Sequence, residues 1–559
     1  MDPGLDGNCV ARGLMARLAR PLLLLPLLFL GLFYVWPLLS ILALGLAPDG
    51  TLATGQLRQL LSPWHLNTLV FTVFQALLST VLTIALALPA AWVCVRWSFP
   101  GRSLLLSLSS LAFVLPTVVV AAAFSALIGS RGIVNDLLRQ TLALEAAPLR
   151  LEGTLAIILI AHVFYNFAVA LRIITGFWAN RSTLQEDAAR VLGAQGWRLW
   201  WEIRLPLLRP ALLAAAALIF IFSFTSFGVI IILGELRFST LEVEIYLQAV
   251  NLFNLPVAAG LSLLQISLML VLMLFYTRLR QRLPLTLRAA QAPRPRGWRQ
   301  WLAVSAVSGF MLVLLAAPLL ALVLRSLSGA EGLTGAWYAA LSRDVRGSVL
   351  FVPPVQAVGN SLFYAFCTTA MALVLGLLAA SLIQRRSRRW LDPLFMLPLA
   401  TSAVTLGFGF IVALDEPPLD LRASPALIPI AHTLVALPFV VRSIQPSLDA
   451  ISASLRESAS VLGATPWQVW RQIDLPLVSR GLLVGAIFAF TISMGEFGAS
   501  LFIARPANAT IPVVIYRLLG QPGTMNMGQA MAMSVILLLT CSLGFIVIER
   551  VQRAGSGAF

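Results

Sequence analysis

The chain has 559 residues, of which 59% are hydrophobic and 11% charged, with a net charge of +16. Soluble domains carry about a quarter charged residues, so this balance excludes an ordinary soluble enzyme and indicates a chain that lives in lipid. The four cysteines (Cys9, Cys94, Cys367, Cys541) and three histidines (His65, His162, His432) are too scattered for a disulfide framework or a metal site, and no cofactor is implied.

Apolar stretches of about 20 residues recur along the chain, long enough to cross a ~30 Å hydrocarbon core as helices. Lipid admits only helices and closed barrels, and continuous apolar runs favour helices. The expected fold is therefore all-α and polytopic. Six spans are expected near 21–46, 66–95, 104–128, 154–176, 208–233 and 256–277, and six more near 301–324, 360–383, 391–414, 423–443, 480–503 and 527–548. The first run follows Arg12, Arg17 and Arg20 but is long and has no clear cleavage site, so it reads as an uncleaved anchor, with Met15 as a second candidate start.

All the basic residues are arginine, and their placement sets the orientation. With the N-terminus inside, 28 arginines fall on the cytoplasmic side and 11 on the other, the bias that retained positive loops produce. The inner set includes Arg385, Arg386, Arg388 and Arg389, and the cluster between the halves that begins at Arg278. Both termini are expected in the cytoplasm. Topology accounts for the arginine excess, so no nucleic-acid role is expected.

The chain also contains itself. Shifted by 270 residues, Ala161-His162 falls on Ala431-His432, Trp200 on Trp470, Leu205-Pro206 on Leu475-Pro476, Phe227-Gly228 on Phe497-Gly498 and Tyr246 on Tyr516. Upstream the offset grows, with Leu115-Pro116 on Leu397-Pro398 and Asn67 on Asn360. Matches of Trp, Pro, Gly and His in one register mark an internal duplication rather than shared oiliness. The expected division is a six-span domain over 1–278, an Arg/Pro-rich cytoplasmic linker over 279–300 and a second six-span domain over 301–559. Six spans separate equivalent points, so the halves are parallel repeats, and a solute path is expected where they meet.

Two repeated segments are too polar to cross, "EDAARVLGAQGWRLWWEIRLP" from Glu186 and "RESASVLGATPWQVWRQIDLP" from Arg456. Thr183-x-x-Glu186 and Ser454-x-x-Glu457 fit capping boxes, and Glu186, Asp187 and Glu457 suit a first helical turn. Gly193 and Gly463 would end each helix. Two such helices on one side of a membrane body read as docking knobs.

In this register the segments resemble the cytoplasmic signature of permease subunits of binding-protein-dependent ABC importers. That signature is an acid, two small residues, three variable ones, a glycine and a later Ile-x-Leu-Pro. One copy has Asp187-Ala188-Ala189, Gly193-Ala194 and Ile203 to Pro206; the other has Glu457-Ser458-Ala459, Gly463-Ala464 and Ile473 to Pro476. Asp stands for the leading Glu in the first copy and Ser for the first Ala in the second. The resemblance implies the type I importer permease fold in a bacterial or archaeal plasma membrane. It implies coupling helices seated on a separate ATPase, in two copies, and a solute-binding protein on the outer side. Fused permeases of this layout resemble those of thiamine and ferric-iron importers, and 161–172 with 239–250 are closer to the thiamine group.

A P-loop needs a lysine, and this chain has none, so the energy must come from a partner and the chain is not itself an enzyme. Glu496, in the "GEFG" at 495–498, is the one carboxylate expected inside a span and is a gate or pathway candidate. Asn166 is another, though a lone Asn more often links helices. Glu235, Glu242, Glu244, Asp415, Glu416 and Asp420 are expected in outer loops, where a binding protein would dock. The competing reading is a secondary transporter of two six-span halves with no ATPase partner.

Overall fold

The computed structural model describes residues 22–47, 58–179, 184–234, 236–280, 292–329, 332–342, 353–384, 390–415, 417 and 419–556. Expectations resting on Cys9, Arg12, Met15, Arg17, Arg20, Thr183, Glu235, Glu416, Arg385, Arg386, Arg388 and Arg389, and most of the linker, lie outside those residues.

Eleven described helices are long and apolar enough to cross a membrane, and the pair Asp392–Ala400 and Ala403–Ala413, bent by 97°, is a twelfth candidate. Four expected spans are interrupted. The span over 104–128 is two helices, Arg102–Val114 and Thr117–Ile128, because Pro116 disfavours helical geometry at Leu115, which is extended (φ −66°, ψ 140°). The equivalent span over 391–414 is the bent pair. There Ser402 caps the second helix by accepting from the Val404 and Thr405 amides at 3.1 and 3.4 Å. The spans over 208–233 and 480–503 end as long helices at Phe224 and Gly495 and restart as short ones, Gly228–Leu233 and Gly498–Ile503.

Two compact units result. One comprises Thr54–Ala339 with Ile515–Val535; the other comprises Met1–Ala53, Ala340–Val514 and Ile536–Phe559. The first spans are thus exchanged. Helix Leu25–Leu46, from the first repeat, belongs to the unit built on the second; helix Trp298–Ser326 belongs to the unit built on the first. The Tyr34 hydroxyl and Thr401 Oγ1 share a hydrogen bond of 2.6 Å, and Gly409 leaves room for the Pro37 ring, which would lie 3.0 Å from a Cβ there. In the other unit Phe310 meets Phe167 edge-on, with centroids 6.0 Å apart.

Lipid supplies little hydrophobic drive between helices, so small and hydroxyl residues carry the packing. On helix Pro63–Arg96 the buried face is Thr68, Thr72, Ala76, Ser79, Thr83 and Ala87, spaced three and four apart. Thr72 and Thr83 donate to the carbonyls four residues back at 2.6 and 2.7 Å. Those two hydroxyls donate within their own helix, and Thr72 also accepts from the Leu241 amide at 3.0 Å, which ties a second helix to this face.

Candidate functional site

The two polar segments fold alike. Helix Leu184–Val191 runs into Gly193 at φ +89°, and helix Ala453–Val461 into Gly463 at φ +87°. The Ala194 amide donates to the Ala189 carbonyl at 2.9 Å, and the Ala464 amide to the Ala459 carbonyl at 3.0 Å. These six-to-one bonds are the Schellman closure, which satisfies the last carbonyls and requires a left-handed residue. A Cβ at either glycine would touch nothing within 4 Å, so backbone conformation rather than space selects glycine.

The closed turn presents an apolar tip. Val191 and Leu192 are 87% and 88% exposed, and Val461 and Leu462 are each 87% exposed. Asp187, Ala188, Glu457 and Ser458 are also exposed, whereas Ala189 is buried and Ala194, Ala459 and Ala464 are half-buried. The small residues therefore divide between surface and support. Emphasis on acids and small residues missed the tips, although "VLGA" is the longest identical run in the two segments. The capping box expected at Ser454 and Glu457 is absent. The helix starts at Ala453 with Ser452 as its N-cap, two residues earlier than that box requires, and the Ser454 hydroxyl donates to that of Ser452 at 3.1 Å. A capping box does form at Thr465 and Gln468, which opens the next short helix. Glu457 consequently lies outside the first turn, while Glu186 and Asp187 lie within theirs.

An ion pair ties each tip to the following helix. Arg204 donates to Glu186 through Nη2 at 2.9 Å and Nε at 3.1 Å, and its guanidinium lies 5.2 Å from the Trp200 ring centroid. In the other copy Arg456 Nε donates to Asp474 at 2.7 Å. The 270-residue shift places Arg456 on Glu186 and Asp474 on Arg204, so the pair is kept with its signs exchanged. Both quoted segments display the exchange, but only a known contact gives it meaning. Trp200–Arg204 and Trp470–Asp474 are single π turns, and the Leu205 and Leu475 amides donate five residues back, to Trp200 and Trp470. Pro206 and Pro476 follow at once. A proline ring crowds the carbonyl four residues earlier and has no N–H to give, which widens the turn there. Insertions of this kind are frequent at functional sites.

Inside each unit a repeated histidine bridges helix breaks. His162 shares hydrogen bonds of 2.9 Å with Ser79 and 2.8 Å with Ser226. His432 shares bonds of 2.8 Å with both Ser493 and Ser500. Glu496 accepts from the Ala499 amide at 2.8 Å, and from the Ser500 amide and hydroxyl at 3.0 and 2.8 Å. Its carboxylate thus caps the short helix Gly498–Ile503, where free amides and the helix dipole favour negative charge. Asn166 donates to the Ser223 hydroxyl at 3.1 Å and links two helices.

Glu496 is not alone in being buried. Glu242 and Glu244, expected in an outer loop, are 1% and 2% exposed on helix Leu241–Tyr246. Glu242 accepts from Gln265 at 2.5 Å and Glu244 from Gln248 at 2.9 Å, with His65 Nδ1 3.8 Å from Glu244. Neither can meet a docking protein. Asp415 and Asp420 are exposed, Asp415 pairing with Arg422.

Comparison with known proteins places this geometry. The family of binding-protein-dependent transport system inner membrane components matches twice, over residues 79–284 and 372–554. The thiamine transport system permease protein ThiP of Escherichia coli is 28% identical over 505 residues, covering 87% of this chain and 89% of that protein. The ThiP of Haemophilus influenzae is 27% identical over 94% of this chain and 95% of its own length. A putative 2-aminoethylphosphonate transport system permease protein, PhnV of Salmonella typhimurium, is 30% identical over 35% of this chain and 75% of its own.

Proposed function

The chain belongs to the family of binding-protein-dependent transport system inner membrane components, present in it twice, and from that premise we propose that it is the permease of a thiamine importer driven by a separate ATPase. Near-full-length similarity to thiamine permeases supports the cargo. The observation that carries the coupling is the pair of matching apolar tips, Val191-Leu192 and Val461-Leu462, each held out by a Schellman turn and an ion pair. Fully exposed apolar pairs on stiff supports are what a partner's pocket uses as anchors.

In this reading the two tips face the cytoplasm and seat in grooves of two ATPase chains. Nucleotide binding draws those chains together, and hydrolysis lets them part. The helices behind the tips rock with them, a bistable motion that opens the path to one side of the membrane at a time. The coupling residues Glu186, Asp187, Ala188, Ala189, Gly193, Ala194, Pro206, Glu457, Ser458, Ala459, Gly463, Ala464 and Pro476 transmit force and do no bond chemistry. Glu496 and Asn166 hold the broken helices in register. Thiamine arrives from a solute-binding protein on the outer face.

The test is uptake of labelled thiamine by proteoliposomes holding this chain, its ATPase and the loaded binding protein. Uptake should need all three and ATP. Gradient-driven uptake without the ATPase would establish a secondary transporter instead. Uptake of ferric iron in place of thiamine would keep the mechanism and reassign the cargo.

A further inference from the structure

Tyr246 and Tyr516, which the 270-residue shift superposes, line one cavity of about 600 Å³. All its lining residues fall in the unit of Thr54–Ala339 with Ile515–Val535. Its volume is in the range of small-molecule sites, which are apolar with a few placed polar groups. Isoleucine, valine and leucine side chains form much of the wall, and Ser239 and Asn251 supply a hydroxyl and an amide. Both tyrosines are half-buried, so a ring face can meet a solute. Phe227 holds Tyr246 edge-to-face, with centroids 5.7 Å apart, and Phe227 is itself a repeated residue.

The one charged group among the described lining residues is Arg237. It donates to the Gly153 carbonyl at 3.0 Å and lies 4.8 Å from the Phe238 ring centroid, which fixes its position. No carboxylate is among the described lining residues. The lining therefore offers a bare metal cation no anionic ligand, whereas a flat organic cation can meet the tyrosine ring faces. To a flat ring with polar edges it offers two aromatic surfaces, a hydroxyl and an amide. Aromatic pairs of this kind hold planar rings by offset or edge-on contact.

We propose that this cavity is a solute station on the transport path, taking a flat heteroaromatic ring against Tyr246 and Tyr516. The inference rests on the thiamine-importer reading and deepens it: each repeat contributes one equivalent ring, so the duplication itself builds the site. Phenylalanine at either position keeps the contact, whereas alanine removes it.

The experiment uses the assembled complex in proteoliposomes, with thiamine as the probe. Tyr246→Ala and Tyr516→Ala should each raise the half-saturating concentration of loaded binding protein, or lower uptake per ATP hydrolysed, by about fivefold to tenfold. Tyr246→Phe and Tyr516→Phe, which keep the ring face, should restore most of the uptake that the alanine variants lose. Alanine variants that assemble and transport like the parent would overturn the station while leaving the importer reading intact. If the parent chain carries no thiamine, both fall. Should the alanine variants fail to assemble, an aryl-azide thiamine analogue photolysed on the unaltered complex decides the question. Label on the peptides bearing Tyr246 or Tyr516 supports the station, and label only elsewhere rejects it.

Discussion

The turn that carries each exposed tip is pinned by an ion pair spanning 18 residues, Glu186 with Arg204 in one repeat and Arg456 with Asp474 in the other. The positions coincide and the charges are exchanged. Attraction between those two sites is thus what the fold demands, and either end can carry either sign. The settings differ in depth. The Arg204 and Glu186 side chains are 7% and 18% exposed, against 31% and 18% for Arg456 and Asp474. A pair further from water is felt more strongly when broken.

The largest effect should come from the tips that both pairs support. Leu192→Asp combined with Leu462→Asp should reduce ATP-driven thiamine uptake to background, and each single change should lower it about 30-fold, as loss of a hot-spot contact near 2 kcal/mol implies. Both sites are exposed, so thermal stability of the isolated chain should move by no more than about 0.5 kcal/mol. A single variant with normal uptake would show that the two tips are not equivalent.

Next is Arg204→Ala, which leaves Glu186 only its longer pair with Arg190 at 3.8 Å and should cost about 2 kcal/mol in a denaturation assay. The exchanged pair makes a sharper test. Glu186→Arg alone sets like charges together, while Glu186→Arg with Arg204→Asp copies the polarity of the second repeat and should recover most of the loss. Failure to recover would mean that the Trp200 contact, rather than the attraction, holds Arg204.

Asp474→Ala should cost less, about 1 kcal/mol, because water screens its partner. A loss as large as that at Arg204 would erase the contrast in depth. Comparable in size, and the most equal between the repeats, are Gly193→Ala and Gly463→Ala, each about 1 kcal/mol from the left-handed backbone alone, since a methyl finds open space at both. Unequal losses would reveal a constraint on one tip that the other lacks.

Much of this was legible beforehand because it is local. Runs of apolar residues set the helices, Gly193 and Gly463 marked the turns, and the shared Trp and Pro register exposed the duplication. The spans over 208–233 and 480–503 misled because their breaks at Ser226 and Glu496 contain no proline; the residues that stabilise them, His162 and His432, lie on other helices. Ser454 and Glu457 misled for a different reason. Their spacing fits a capping box, but the helix begins two residues too early to use it.

The sequence by itself determined that the chain is an α-helical membrane protein with a doubled plan and two matched polar turns. Periodicity, hydropathy and register are properties of neighbours along the chain, so they survive without a structure. Only the tertiary structure decided which unit receives each first span, that Glu242 and Glu244 are buried, that Arg204 answers Glu186 as Asp474 answers Arg456, and that Tyr246 and Tyr516 share a cavity. Each of these joins residues far apart in the chain, and their meeting is settled by which packing satisfies every buried polar group at once.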